Sequence, residues 1–184
     1  MPPMPRPQVA AARPRRVRRV ALPLLPLALC AALALTGAVR ADVIGEATVI
    51  DGDTLQVAGE RVRLNGIDAP ESRQSCSVAG VGYDCGQSAK RTLTGATAGK
   101  VITCKGEKRD RYGRLLATCY AGDDDLNAMM VRDGWALAYR RYAKEYIAQE
   151  TEARASGSGM WRGQFVEPWE WRKSRREQAW EARR

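Results

Sequence analysis

Apolar and polar residues alternate over short stretches in the part of the chain that follows the first 41 residues. The pattern is found in three stretches, residues 47–50, 54–57 and 61–65. A two-residue period is typical of β-strands with one buried face. In the third stretch Val62 and Leu64 fall on one face and Arg63 falls on the other. The pattern therefore predicts three strands, the third of which has a polar face.

The second half of the chain mixes further strand patterns with helix patterns. We predict a hairpin from residues 100–105 and 115–120, a closing strand over residues 135–139, and helices over residues 87–98, 126–131 and 142–155. The Asp123-Asp124-Asp125 run supplies an N-cap for the second helix. By itself this pattern predicts only an α+β fold. Five short strands with interspersed helices favour one form of it, a closed five-stranded β-barrel of the OB-fold type with about three helices.

The N-terminal 41 residues have the features of an export signal. They contain seven arginines and no acidic residue, and an apolar run over residues 21–35 precedes a small-residue exit at Ala41. A membrane anchor is disfavoured because the run is shorter than the roughly 20 residues of a spanning helix. We expect a signal peptide over residues 1–41, one globular domain over residues 42–163 and a Trp- and Arg-rich tail over residues 164–184. The mature protein would be periplasmic or extracellular, without a stable membrane anchor.

The net charge of +9 is weak support for a nucleic-acid-binding function. Outside the first 41 residues the chain has 23 basic and 21 acidic residues, so a polyanion would have to be bound by a local arrangement. The absence of histidine is more informative. It excludes Ser-His-Asp and Cys-His hydrolases, nucleases that use histidine, and zinc sites built on imidazole.

Four cysteines remain once the N-terminal segment, which contains Cys30, is set aside. An even number of cysteines in an exported protein predicts two disulfides, for which three pairings are possible. We favour a pair that closes a Gly-rich loop and a pair that joins two predicted strands across their turn. These pairs are Cys76–Cys85 and Cys104–Cys119.

Carboxylates and arginines stand at the ends of the predicted strands. Asp53, Asp68 and Glu71 would repel each other if brought together without a cation. Oxygen ligands without His or Cys select a hard ion, calcium before magnesium. Arg63 lies on the polar strand face and Arg114 follows a tight turn, and guanidinium groups can bind phosphate oxygens through two hydrogen bonds. Taken singly, each residue is more typical of a plain turn or a solvated surface.

In combination, three segments resemble the staphylococcal nuclease (thermonuclease) family. The segments are Ile50-Asp51-Gly52-Asp53-Thr54, Arg63-Leu64-Asn65-Gly66-Ile67-Asp68-Ala69-Pro70-Glu71 and Asp110-Arg111-Tyr112-Gly113-Arg114. Three separated blocks in the same order are far more specific than any one block, and the resemblance extends over residues 44–162. It implies an exported bacterial member of this family with a nuclease domain over residues 42–163.

The resemblance also implies roles for single residues. Members of the family bind one calcium ion through two aspartates and a backbone carbonyl, which correspond to Asp53, Asp68 and Ala69 of this chain. The general base that activates the attacking water corresponds to Glu71. Ala69 stands where the family often has threonine, a change that keeps the carbonyl ligand and removes a hydroxyl contact.

For the substrate, the resemblance implies cleavage of DNA and RNA to 3′-phosphates, with a preference for single strands. Two arginines that stabilise the phosphate transition state correspond to Arg63 and Arg114. Tyr112 resembles a nucleotide-contact position, and we add Arg111 and Tyr139 as candidate substrate contacts. We expect the protein to be a monomer.

Two alternatives are kept. One is a nucleic-acid-binding module on the same barrel that lacks catalysis, which the presence of all five acidic and basic site residues disfavours. The other concerns the tail, whose tryptophans and arginines could grip nucleic acid. For the tail we favour a solvated helix with a few packed indoles.

Overall fold

The computed structural model describes residues 42–184, so the expected signal peptide and Cys30 lie outside the described part. The strands are β1 (Val43–Asp51), β2 (Thr54–Val57), β3 (Glu60–Leu64), β4 (Ile67–Asp68), β5 (Cys76–Val78), β6 (Val81–Tyr83), β7 (Val101–Arg109), β8 (Leu115–Ala121), β9 (Asp124–Asp125) and β10 (Leu137–Ala138). The helices are α1 (Cys85–Thr97), α2 (Leu126–Arg132), α3 (Ile147–Ser156) and α4 (Pro168–Glu181), with a 3₁₀ turn at Gly159–Arg162.

Five of the strands form a closed barrel, as the sequence pattern predicted. The strand order is β3-β2-β1-β7-β8, and β3 returns to pair with β8. This last pairing is parallel and sets Arg63 opposite Leu116, whereas the other barrel pairings are antiparallel. The alternation in β3 places Val62 and Leu64 in the core and leaves Arg63 half-buried on the other face.

A buried asparagine secures the closure of the barrel. The side-chain amide of Asn127 donates to the carbonyls of Asn65 (2.9 Å) and Ala117 (3.2 Å), and its oxygen accepts from the Cys119 amide (3.1 Å). Asn127 is fully buried, so these bonds replace the water that its amide gives up on folding. Asn127 thus links the end of β3 to β8.

The predicted cap of α2 is present, because the Asp125 carboxylate accepts from the Ala128 amide at 2.9 Å. Two expectations for the following segment were wrong. Of residues 135–139 only β10 forms a strand, and it pairs with β4 outside the barrel, since the amides of Trp135 and Ala136 bond back to Met130. The next helix begins at Ile147 and not at residue 142, because the chain forms turns between residues 139 and 146.

Both disulfides join the cysteines that the sequence paired. Cys104 and Cys119 face each other across β7 and β8, with their Cα atoms 4.0 Å apart. Cys76 and Cys85 join β5 to the start of α1, with a Cα separation of 5.6 Å. This second disulfide lies in a small apolar cluster separate from the barrel core, to which Trp169 of α4 also belongs.

No helix within residues 42–184 is both long enough and apolar enough to cross a membrane.

Candidate active site

The turn between β1 and β2 presents Asp53 to the loop after β4. A side chain at Gly52 would bring a Cβ within 2.7 Å of the Ala69 Cβ and 2.8 Å of the Ala89 Cβ, so the close packing here requires glycine. In the resulting arrangement the Ala69 amide donates to the Asp53 carboxylate at 3.1 Å. The absence of a side chain at position 52 therefore brings two of the expected ion-binding residues together.

Arg63 bridges the two aspartates expected to bind metal. Its guanidinium lies 2.6 Å from Asp53 Oδ1 and 2.7 Å from Asp68 Oδ1. Burial opposes the charge on Arg63, but the two carboxylates outweigh burial and raise its pKa. Burial raises the pKa of Asp68, which is completely inaccessible to solvent, and the guanidiniums in contact with it oppose that rise. The group is a network of paired buried charges.

Asp51 adds a third carboxyl group beside this pair. Its Oδ1 accepts from the Asp53 amide at 3.1 Å. Burial, together with the negative charge of Asp53, raises the pKa of Asp51 to about 6. The site thus has three carboxyl groups, more than the single positive charge of Arg63 can neutralise.

Glu71 lies on the loop after β4, and α1 fixes the position of that loop. A Cβ on Gly86 would be 1.9 Å from the Glu71 carbonyl oxygen, so only glycine allows α1 to start so close to the loop. The Glu71 amide donates to the buried side chain of Gln74 at 3.3 Å. The Glu71 carboxylate remains about one third exposed, so water can reach it.

Arg114 reaches the same site from the start of β8. Asp110 holds it, with Arg114 Nε donating to the carboxylate at 2.7 Å, and Arg114 Nη1 contacts Thr54 Oγ1 at 3.3 Å. Thr54 in turn donates to Asp53 Oδ1 at 3.1 Å. Contact with Arg114 lowers the pKa of Asp110 despite its partial burial. Asp110 and Thr54 are supporting residues that sequence reasoning did not assign, although both lie within the recognised segments.

An arginine from the C-terminal tail also enters the site. Arg172 donates to Asp68 Oδ1 at 3.0 Å, to Asp68 Oδ2 at 2.7 Å and to Glu71 Oε1 at 2.9 Å. Burial opposes its charge, but these carboxylates raise its pKa well above the usual range. The interpretation of the tail as a solvated helix with a few packed indoles agrees with α4, most of which is exposed and in which Trp169 is packed, but it did not include this contact of Arg172. Charge composition gave no signal of this contact, because arginines occur along the whole tail.

One cavity of about 620 Å³ is lined by most of these residues, namely Asp51, Asp53, Arg63, Ala69, Glu71, Asp110, Arg114 and Arg172. Asp68 and Thr54 are fully buried and do not line it. The candidate substrate contacts Arg111, Tyr112 and Tyr139 also line it. Tyr112 is largely exposed, with the guanidinium of Arg111 4.8 Å from its ring centre. Tyr139 is half-buried and stacks on Trp169 of α4, with the ring centres 5.5 Å apart. A cavity of this size is within the range of small-molecule and nucleotide sites.

The donor set suits a hard cation in its chemistry. The expected ligands are the carboxylates of Asp53 and Asp68 and the backbone carbonyl of Ala69, and oxygen atoms of these types are the ligands that calcium prefers. Within residues 42–184 no group of three or more acidic or cysteine side chains has the arrangement of a metal site. Each carboxylate oxygen of Asp68 already accepts from a guanidinium. An ion that used Asp68 would therefore have to displace Arg63 or Arg172 from one oxygen.

The chain is similar in sequence to a known protein family and to several curated proteins. Residues 61–163, more than half of the chain, match the family described as "Staphylococcal nuclease homologue". The match includes all of β3 except its first residue, the loop with Glu71 and the start of β8, and it ends before α4.

Several curated proteins are similar over most of the described chain. An "Uncharacterized endonuclease" of Escherichia coli O157:H7 is 37% identical over 141 residues, which cover 72% of this chain and 86% of that protein. A "Micrococcal nuclease" of Shigella flexneri is 38% identical over 153 residues, which cover 73% of this chain and 83% of that protein. A "Succinoglycan biosynthesis protein ExoI" of Rhizobium meliloti (strain 1021) is 40% identical over 126 residues, covering 66% of each chain.

Proposed function

The chain belongs to the staphylococcal nuclease family, and on that premise we propose that it is an exported, calcium-dependent endonuclease. It would hydrolyse phosphodiester bonds of DNA and RNA, preferably in single strands, and leave 3′-phosphates. Family membership and relatives named as nucleases support nuclease activity. The observation that carries the proposal is the convergence of Arg63, Arg114 and Glu71 on one solvent-accessible cavity.

Arg63 and Arg114 are the residues that would bind the scissile phosphate. Arg63 lies on β3, and Arg114 directly precedes β8, the strand that pairs with β3. Each of the two arginines is held by a carboxylate that limits its motion. A phosphodiester gains negative charge as water attacks it, and preorganised guanidiniums stabilise that charge more in the transition state than in the ground state. Arginine suits this role because its planar guanidinium can bind a phosphate through two hydrogen bonds.

Glu71 is the proposed general base. Its carboxylate lines the cavity and is partly exposed, so it can accept a proton from a water molecule near the phosphate. Arg172 holds Oε1 of Glu71 at 2.9 Å and so limits the orientations of the carboxylate. The chain has no histidine that could take this role.

Asp53, Asp68 and the carbonyl of Ala69 are the residues that would hold the calcium ion. A bound calcium ion supplies positive charge that offsets the repulsion between the phosphate and the attacking water's oxygen. All three residues are buried, which supports the proposal that the ion would be shielded from solvent. We propose that the protein acts as a monomer.

The first test is degradation of single-stranded DNA by the purified protein, with calcium or with EDTA. We expect cleavage in calcium, products that end in 3′-phosphates, and slower cleavage of duplex DNA. Arg114→Ala should lower turnover by about 10²–10³-fold, as the loss of a transition-state donor does. Glu71→Gln keeps an acceptor for Arg172 but cannot take up a proton, and it should lower turnover by about 10²–10⁴-fold.

The control is Arg91→Ala on α1, which removes an equal charge from an exposed site that does not line the cavity. It should cleave like the unchanged protein. Folded protein that binds single strands but cleaves neither DNA nor RNA in calcium would favour the binding module without catalysis. Full cleavage in EDTA would remove the ion from the proposal.

A further inference from the structure

Helix α4 lies against the cleft, although it follows the last residue of the family match. Two backbone hydrogen bonds between Ser77 and Gln164, of 2.9 and 2.8 Å, fix the chain that leads into it. The side chain of Gln74, which is buried beside the Glu71 loop, donates to the Val166 carbonyl at 2.6 Å. The start of α4 is therefore tied to the same loop that carries Glu71.

One face of α4 points toward the site. Trp169, Arg172 and Arg176 are three and four residues apart, a spacing that places them on one side of a helix. Trp169 stacks on Tyr139, Arg172 binds Asp68, and Arg176 lines the cavity. Arg175 does not line the cavity. Its guanidinium lies 5.8 Å from the Trp171 ring and donates to Gln178 on the same helix.

Arg176 differs in its charge balance from three of the other arginines that line the cavity. The fourth, Arg111, resembles Arg176, because its described contacts are to Tyr112 and not to a carboxylate. Arg63, Arg114 and Arg172 each contact a carboxylate. Within residues 42–184 Arg176 contacts none, and it is exposed at the cavity. An uncompensated guanidinium at the edge of a cavity that already holds two phosphate-binding candidates is suited to a further phosphate.

Aromatic rings complete the surface. Tyr112 and Tyr142 line the cavity and are each about two thirds exposed, although neither is needed for the core. Exposed rings beside a row of arginines are typical of sites for single strands, whose unpaired bases can stack on them. The cavity remains about 620 Å³ with α4 in place, which leaves room for substrate rather than a filled site.

We propose that α4 is an additional wall of the substrate cleft and that Arg176 binds a backbone phosphate of a single-stranded nucleic acid. Arg172 anchors this wall, and Arg176, one turn further along, contacts a phosphate that neighbours the scissile one. The inference rests on the proposed function, since it assigns the same cleft the same substrate. It extends the site beyond the residues that match the family.

Binding of a fluorescent oligothymidylate in EDTA tests the proposal. Affinity is measured at several salt concentrations for the unchanged protein, Arg176→Ala and Arg175→Ala. Both variants lose one charge from the same helix, so general attraction falls equally. Arg176→Ala should bind about tenfold more weakly and should lower the slope of log K against log salt by about 0.7, the value for one phosphate contact in a single strand. Arg175→Ala should keep the slope.

Arg176→Lys separates charge from structure, because lysine also binds phosphate as a point charge. Arg176→Lys should give nearly the same slope of log K against log salt as the unchanged protein. The melting temperatures of all variants should be equal. Equal slopes for Arg176→Ala and Arg175→Ala would overturn the proposal. So would tighter binding by Arg176→Ala, which would mean that α4 obstructs the cleft, and so would the absence of binding by the unchanged protein.

Cleavage in calcium, measured in parallel, keeps this inference distinct from the proposed function. If the protein never cleaves nucleic acid but Arg176→Ala still lowers the slope of log K against log salt, the role of α4 in binding is supported and the enzyme proposal fails. If cleavage occurs and Arg176→Ala behaves like Arg175→Ala in both the binding and the cleavage assay, the enzyme proposal is supported and the proposed role of Arg176 fails.

Discussion

Two arginines contact Asp68, and they come from different kinds of structure. Arg63 lies in the middle of the barrel sheet, on a strand with a partner on each side, and its side chain is 17% exposed. Arg172 lies on a helix that covers the barrel from outside, and its side chain is 27% exposed. Each places a nitrogen 2.7 Å from an oxygen of the same carboxylate.

The difference shows that two contacts with the same distance can break with different ease. The backbone of Arg63 can move away from Asp68 only if the sheet is distorted, because β3 has a paired strand on each side. Arg172 can leave by local movement of α4, most of whose residues are exposed. Elements with few buried contacts open at lower free energy than core strands. One half of the site is therefore set by the barrel and the other by a helix that is held mainly at its first turns.

The largest contrast is expected in stability when each arginine is removed. Arg63→Ala leaves Asp53 and Asp68 buried without their shared partner, which should lower the free energy of unfolding by about 3–5 kcal/mol. Arg172→Ala should lower it by about 1 kcal/mol, because Asp68 keeps Arg63 and Glu71 is partly exposed. Urea unfolding in EDTA measures both. Equal losses would show that α4 belongs to the same cooperative unit as the barrel.

An intermediate effect is expected for Asp51, the barrel-side acid without an arginine. Its pKa of about 6 lies above the ordinary value, so the folded protein binds a proton more readily than the unfolded chain. Stability from this group is therefore present at low pH and lost as pH rises from about 4 to 6. Asp51→Asn keeps the acceptor for the Asp53 amide and should stabilise the ion-free protein by about 1–2 kcal/mol at pH 7.

Thermal unfolding of Asp51→Asn and the unchanged protein at a series of pH values checks this effect. The two curves should converge near pH 4 and separate toward pH 7. A difference that does not change with pH would mean that the carboxyl group is not the cause.

The smallest effect is expected on calcium affinity. Arg172 competes with a cation for Asp68, so Arg172→Ala should bind calcium about three- to tenfold more tightly. Isothermal titration calorimetry without nucleic acid measures this, with Arg175→Ala as the matched control. Weaker calcium binding by Arg172→Ala would show instead that α4 supports the ion-binding residues.

The barrel half of the site could be predicted because its information is local. Alternation in β3 assigned Arg63 to the polar face, and the segments around Asp53 and Asp68 were specific in combination. The loop disulfide followed from cysteine spacing in the same way. The register that sets Arg63 opposite Leu116 depends on pairing between distant segments, and no periodicity in either segment records it.

The helical half could not be predicted for a related reason. α4 was expected as a helix, but its tryptophans and charges form no single apolar stripe that would indicate a docked face. Its docking depends on Gln164, Trp169 and Arg172 finding partners nearly a hundred residues earlier or on another loop. The misplaced start of α3 has a simpler cause, since Tyr146 at its N-cap makes no side-chain cap hydrogen bond.

The parallel pairing of β3 with β8 has a consequence for biosynthesis. Arg63 and Arg114 belong to segments about fifty residues apart in the chain, and this pairing brings them to one cavity. Asn127 gains its three hydrogen bonds only in the same closed state. A nascent or partly folded chain therefore does not bring the two arginines together, and the proposed phosphate-binding pair forms only once the barrel has closed.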